Sequence, residues 1–96
     1  MTVHSLLKAH RDEILRIASE HGACNVRVFG SMARDEADDQ SDIDFLIQVG
    51  PKTSPWFPAG LILDLEQLLG KKVDVVTEDS VYWLLRQRIV REAVPL

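Results

Sequence analysis

Two aspartates, Asp42 and Asp44, stand two positions apart at the start of a largely apolar run that extends to Val49. If this run is a β-strand, their carboxylates lie side by side, because residues two apart on a strand point to the same face. Aspartate forms strands poorly, and like charges on neighbouring sites repel each other. A third aspartate, Asp74, interrupts the apolar segment 73–76. If the two strands are neighbours in the right register, the three carboxylates converge.

Three converging carboxylates in a largely apolar sheet predict a bound cation. Each is costly to bury, and together they force one another to take up protons. Mg²⁺ suits the group, since it is a hard ion that prefers carboxylate and phosphate oxygens. The alternative is that Asp42 only caps the entrance of its strand and that Asp44 and Asp74 lie at solvent-exposed edges. The carboxylates alone do not decide between these two interpretations.

A phosphate-binding turn is indicated by Gly30-Ser31, a glycine at the end of a predicted strand followed by a serine that opens a predicted helix. Such a turn exposes backbone N–H groups and the positive end of the helix. Gly30 would let the backbone approach phosphates closely, Ser31 would donate its hydroxyl, and Arg34 follows one helical turn later. A Gly-Ser pair alone occurs by chance in many turns. Its combination with the aspartate pattern is much more specific.

In combination these motifs resemble the signature of the DNA polymerase beta-like nucleotidyltransferase superfamily. The resemblance covers nearly the whole chain, including the third-carboxylate strand at 73–76. Small size and the lack of an added substrate domain make the chain similar to the minimal nucleotidyltransferases (MNT), which often pair with a HEPN-domain partner in toxin–antitoxin modules. The matching residues are Gly30-Ser31-Met32-Ala33-Arg34 and Ser41-Asp42-Ile43-Asp44-Phe45.

The resemblance implies a role for each matching residue. Asp42 and Asp44 would bind two metal ions, Mg²⁺ or alternatively Mn²⁺, and Asp74 would complete the second site and orient or deprotonate the acceptor hydroxyl. Two metals can stabilise both the attacking and the leaving oxygen of an in-line displacement. These three aspartates are therefore the predicted catalytic and metal-binding residues. The residues implied to bind the nucleoside triphosphate are Gly30, Ser31, Arg34 and Ser41.

Two functions of different kinds remain open. The first is an Mg²⁺-dependent enzyme that, by resemblance, transfers AMP from ATP to a hydroxyl of a HEPN-domain toxin, with tyrosine as the implied acceptor. The alternative is a non-catalytic antitoxin that neutralises its partner by occlusion. It is favoured by Asp35, which stands where the family often has glycine and adds negative charge near the triphosphate, as do Asp38 and Asp39. Transfer to RNA or to a small molecule is a third and less favoured interpretation.

Length and composition limit the classes of protein. The 96 residues predict one domain. The net charge of −4, from 11 basic and 15 acidic residues, argues against non-specific binding to nucleic acid, which requires a basic surface. The sequence shows neither a signal peptide nor an apolar run that would span a membrane, so a cytoplasmic protein is expected. A homodimer or a hetero-oligomer stays open. The single cysteine, Cys24, is expected to be a buried small apolar residue.

The elements that must position these residues follow from hydrophobic periodicity. Glycines at positions 22 and 70 are expected to end the helices before them. The run 42–49 is apolar enough to predict a central strand covered on both faces. Trp56 and Phe57, in the proline-rich loop, are expected to pack or to form contacts. The predicted order is helix 4–21, strand 25–29, short helix 31–37, strand 42–49, loop 50–58, helix 59–69, strand 72–77 and helix 79–92. The fold class is α/β (α+β), a small mixed sheet of three or more strands flanked by helices, as in the polymerase beta-like nucleotidyltransferase fold.

Overall fold

The computed structural model describes residues 3–30, 42–80 and 83–96 of the chain. A 3₁₀ turn at Glu78–Ser80 follows the third strand. The helices and strands are α1 (Val3–Ala9), α2 (Arg11–Glu20), β1 (Ala23–Phe29), β2 (Ile43–Val49), α3 (Ala59–Leu69), β3 (Val73–Thr77), α4 (Trp83–Glu92) and β4 (Val94–Pro95).

The strands form a mixed sheet in the order β3-β2-β1-β4. β1 runs antiparallel to both β2 and β4, whereas β2 and β3 are parallel. The prediction of a small mixed sheet flanked by helices is confirmed. β2 is an interior strand, as its apolar sequence indicated, and residues on both of its faces are buried: Phe45 on one and Leu46 on the other are each 0% exposed.

The core lies between the sheet and the helices α1, α2 and α3. Successive strand residues alternate between the two faces, so only every second residue of β2 contributes to it. Each helix contributes its buried stripe, for example Ile14 and Ala18 of α2 and Leu61, Leu65 and Leu69 of α3. The buried residues of this core are Leu7, Ile14, Ala18, Ala23, Val26, Val28, Ile43, Phe45, Ile47, Leu61, Leu65, Leu69, Val73 and Val75.

Both glycine predictions are confirmed. Gly70 follows α3 with φ 67°, the left-handed conformation of a helix C-cap. Gly22 follows α2 with φ 88°, and a Cβ at this position would clash with the Lys52 carbonyl. The bounds of α3 agree with the predicted helix 59–69.

The predicted helix 4–21 is wrong in one respect, because the chain forms two helices separated at His10. His10 has φ −107° and ψ 15°, outside the helical region, although its carbonyl still accepts a bond from the Ile14 amide. Neither glycine nor proline marks the break, and the apolar period continues through it. The sequence pattern therefore predicted one helix.

β1 begins two residues earlier than predicted, because it contains a β-bulge between Cys24 and Arg27. Asn25 occupies the bulge with φ 49°, a conformation that asparagine tolerates better than most residues. The extra residue breaks the strict alternation of buried and exposed positions, which is the signal used to recognise strands. It also overturns the expectation for Cys24, whose side chain is exposed. Cys24 pairs with Gln48, another exposed residue, and does not enter the core.

The C-terminal elements also differ from expectation. The segment 78–80 forms a 3₁₀ turn, so the last helix does not begin at position 79, and its described part is α4, Trp83–Glu92. β4, which the sequence did not predict, pairs with β1 through Val28 and Val94. The predicted short helix 31–37 lies outside the described residues. Among the helices described, none has the length and apolar character needed to cross a membrane.

His21 connects three elements at the far end of β2. Its Nδ1 lies 2.6 Å from the Ser54 hydroxyl and its Nε2 lies 2.7 Å from the Asp64 carboxylate on α3. The Ser54 amide donates to the His21 carbonyl at 3.1 Å. This network fixes the loop 50–58, in which Phe57 packs against the core and Trp56 is 87% exposed.

Candidate active site

The parallel pairing of β2 with β3 brings two of the predicted carboxylates together. Asp44 and Asp74 are paired across the two strands, next to the pair Ile43–Val73. Neighbouring strands are about 4.8 Å apart, and paired residues point to the same face. Because Ile43 and Val73 point into the core, Asp44 and Asp74 both lie on the opposite face, away from α1, α2 and α3. The two strands are therefore neighbours in the register that brings Asp44 next to Asp74.

Asp42 lies directly before β2 and is exposed, whereas Asp44 is half-buried and Asp74 is exposed. In the part of the chain that the structure describes, no group of three or more His, Cys, Asp or Glu side chains is close enough together to hold a metal ion. The strands thus meet in the expected register, but the three carboxylates do not form a preassembled ligand set. Asp42 precedes the first ladder bond, from the Ile43 amide to the Lys72 carbonyl, so it lies outside the strand that carries Asp44.

Gly30 adjoins the Asp44 carboxylate. Phe29, the last residue of β1, pairs with Asp44, and Gly30 follows it with φ 69°. A Cβ built on Gly30 would lie 2.6 Å from Asp44 Oδ2, closer than real Cβ atoms approach other atoms. Glycine therefore suits this position for its left-handed backbone, and any larger residue would have to displace the Asp44 carboxylate. Gly30 and the Asp44 carboxylate therefore lie side by side.

The other predicted nucleotide-binding residues, Ser31, Arg34 and Ser41, lie outside the described residues. So do Asp35, Asp38 and Asp39, the acidic positions that depart from the family pattern. What the structure brings together is Gly30 with Asp44 and Asp74, and with Asp42 at the margin. Carboxylate oxygens beside the backbone of a glycine turn suit a hard divalent cation and a phosphate, so the residues present fit Mg²⁺ with a nucleoside triphosphate.

Sequence reasoning missed a polar cluster on the same face of the sheet. Arg27 of β1 forms an ion pair with Glu78 at 2.8 Å, and Gln48 of β2 donates to the second Glu78 oxygen at 2.7 Å. Arg27 and Glu78 are largely buried, with side chains 10% and 15% exposed. The available signal was weak: a lone arginine within a strand and a glutamate directly after one occur in many unrelated proteins.

Comparison with known protein families assigns the chain to one of them. The model of the nucleotidyltransferase domain matches residues 9–96, nearly the whole chain. The chain belongs to the nucleotidyltransferase domain family. The prediction of an enzyme of the nucleotidyltransferase class is confirmed at this level, and so is the recognition of the superfamily from its motifs.

Two archaeal relatives are similar to this chain over most of their length. A protein of Methanocaldococcus jannaschii, assigned as a protein adenylyltransferase, is 43% identical over 82 residues, which are 85% of this chain and 88% of the relative. The protein adenylyltransferase MntA of Thermococcus cleftensis is 34% identical over 92 residues, or 96% of this chain and 90% of the relative.

Solved structures share the nucleotidyltransferase fold. A structure assigned as a minimal nucleotidyltransferase superposes with a TM-score of 0.87 at 43% identity, covering 100% of this chain and 97% of that one. A crystal structure of a toxin–antitoxin complex with AMP-PNP superposes with a TM-score of 0.74, covering 88% of this chain and 69% of that one. Its 21% identity establishes a common fold and nothing more.

Proposed function

We propose that this nucleotidyltransferase transfers AMP from ATP to a hydroxyl group of a partner protein, with Asp42, Asp44 and Asp74 as its catalytic and metal-binding residues. The observation that carries the proposal is the register of Asp44 with Asp74, beside the turn at Gly30. Two acidic residues facing each other across apolar strands are unfavourable on their own, because like charges on adjacent sites repel. A divalent cation bound to a triphosphate relieves that repulsion.

Each residue of the site has a proposed role in binding the nucleotide, the metal or the acceptor. The turn at Gly30 would receive the β- and γ-phosphates through its backbone, together with Ser31, Arg34 and Ser41. Asp42 and Asp44 would hold the metal ions, and Asp44 lies half-buried between Gly30 and Asp74. Asp74 is exposed on the edge strand and would face the incoming hydroxyl. Mg²⁺, when bound, would stabilise charge on the attacking and leaving oxygens.

The proposed reaction is an in-line displacement at the α-phosphorus of ATP. The acceptor oxygen forms a bond to this phosphorus while the bond to the bridging oxygen of the β-phosphate breaks. Pyrophosphate leaves, and the acceptor hydroxyl gives its proton to Asp74 or to solvent. The products are AMP-protein and pyrophosphate.

For the acceptor, we propose a tyrosine hydroxyl on a HEPN-domain toxin, so that the chain acts as its antitoxin. Two observations support this choice. Two relatives that are 43% and 34% identical carry names of protein adenylyltransferases, and toxin–antitoxin complexes share the fold. The HEPN-domain partner and the tyrosine acceptor are implied by the resemblance of the sequence motifs to the family.

The test incubates the purified chain with α-³²P-ATP, Mg²⁺ and the protein encoded beside it, and follows the label by gel electrophoresis. We expect label on the neighbouring protein, and its loss with Asp44→Asn. The matched control is Asp12→Asn on α2, because this aspartate is fully exposed and remote from the sheet face of Asp44. Equal labelling by Asp44→Asn and Asp12→Asn would contradict the proposal. Absence of label from the wild type, with tight binding between the two proteins, would favour neutralisation by occlusion.

A further inference from the structure

Arg27 is buried on the face of the sheet that carries Asp44 and Asp74. It pairs with Leu46, two residues along β2 from Asp44, so it lies about 7 Å from that position along the strand. Arg27 is 8% exposed, a degree of burial that arginine rarely reaches without a structural or functional reason.

The hydrogen bonds of Arg27, Glu78 and Gln48 together connect β1, β2 and the end of β3. Nε donates to the Asn25 carbonyl at 3.1 Å, within the bulge of β1. Nη1 lies 2.8 Å from Oε1 of Glu78, the residue that directly follows β3. Oε2 of Glu78 accepts a bond from Gln48 of β2 at 2.7 Å. The end of β3 is thus tied across β2 to the irregular part of β1.

This cluster is poorly explained by stability alone. Nη2 of Arg27 is buried and has no hydrogen-bond partner among the described residues. An unpaired buried donor costs free energy, and apolar replacements of buried ion pairs are often neutral or stabilising. Asn25 adds backbone strain through its positive φ. What the cluster does provide is a fixed position for three strands.

We propose that Arg27 and Glu78 are positioning residues, which hold β1 and β3 in register against β2 and so keep Gly30 and Asp74 beside Asp44. β3 needs such a restraint because, among the residues that the structure describes, it pairs with β2 alone. A slip of two residues would leave its apolar residues on the core face but move Asp74 about 7 Å from Asp44. This inference rests on the proposed function for the role of Asp74, whereas the restraint on β3 is tested independently.

The test replaces the ion pair by apolar side chains of similar size, in the double variant Arg27→Met/Glu78→Leu. The control removes an exposed ion pair, Arg16 with Glu20 on α2, by Arg16→Gln/Glu20→Gln. Amide hydrogen exchange by NMR reports the protection of β3, and electron paramagnetic resonance of free Mn²⁺ reports metal affinity. Thermal unfolding identifies any global loss of stability.

We expect β3 amides in the double variant to exchange about tenfold faster or more, the effect of losing one charge-assisted hydrogen bond, while α2 keeps its protection. The Mn²⁺ dissociation constant should rise by a similar factor with no fall in melting temperature, and the control should change neither quantity. Unchanged exchange in β3 would overturn the proposal. So would faster exchange in β3 with unchanged Mn²⁺ affinity, because the pair would then be structural only.

If the double variant fails to fold, Glu78→Gln serves instead, since it keeps the shape of the side chain and removes only the charge that Arg27 binds. The same two outcomes then apply. If the wild type binds no Mn²⁺ at all, the proposed metal site fails, and the exchange of β3 amides alone decides whether the ion pair fixes the strand.

Discussion

Replacing Gly30 by alanine tests the link between the turn after β1 and the acidic face of β2. Two costs arise in this variant. The first is backbone strain, because φ 69° lies in the left-handed region, which costs an L-residue about 1–2 kcal/mol. The second is a clash, because the new Cβ would lie 2.6 Å from Asp44 Oδ2 and would displace the carboxylate.

Gly70 offers a matched control, since it has nearly the same φ of 67° but nothing within 4 Å of the position of its Cβ. Gly70→Ala should therefore show the strain alone. At about 4–8 °C per kcal/mol for a domain of this size, each variant should lose at least several degrees in melting temperature. Only Gly30→Ala should also weaken Mn²⁺ binding. Its rate of AMP transfer should fall by about 10²-fold, the loss expected for a displacement of about 1 Å at a reacting centre.

The measurements are thermal unfolding by circular dichroism, Mn²⁺ binding by electron paramagnetic resonance, and the labelling assay with α-³²P-ATP. Equal losses of stability in the two variants, with full metal affinity in Gly30→Ala, would refute the reasoning. Asp44 would then be free to move without consequence, and the glycine at position 30 would reflect the turn alone.

Three further predictions concern the fold around the site. His21→Ala removes the contacts to Ser54 and Asp64 and should lower the unfolding free energy in urea titration by about 1–3 kcal/mol. Its Mn²⁺ affinity should stay unchanged, because His21 lies at the far end of β2. Cys24 is exposed, so its reaction rate with a thiol reagent in the native protein should lie within about an order of magnitude of the rate in the unfolded chain. Strong protection of the thiol would contradict its exposed position. Phe45→Ala empties a fully buried position in the central strand and should cost about 3–5 kcal/mol, and a loss below about 1 kcal/mol in urea titration would argue against β2 as the centre of the core.

The sequence alone was sufficient for features that depend on neighbouring residues in the chain. The alternation of side chains along a strand places Asp44 on the face opposite to Ile43 and Phe45, whereas Asp42 lies outside the strand. The left-handed preference of glycine located the ends of α2 and α3, and the helical period gave the bounds of α3. The unusually apolar character of 43–47 indicated an interior strand, and both faces of β2 are indeed covered.

Other features depend on contacts between residues that are distant in the sequence, and the local sequence pattern does not predict them. The bulge at Asn25 and the break at His10 are marked by neither glycine nor proline. β4 is two residues long and exists because β1 has a free edge. The His21 network joins residues 33 and 43 positions apart, which no local rule anticipates.

The acidic site depends both on the local sequence and on contacts between distant strands. Residue type and spacing determined that the chain carries aspartates on strands where charge is unfavourable, and that a glycine stands at the end of another strand. Only the tertiary structure decided that Asp44 pairs with Asp74 and that Gly30 contacts Asp44, because register is set by hydrogen bonds between strands distant in the sequence. The buried ion pair of Arg27 with Glu78 became visible for the same reason, since 51 positions of chain separate its members and the fold of the sheet brings them to 2.8 Å.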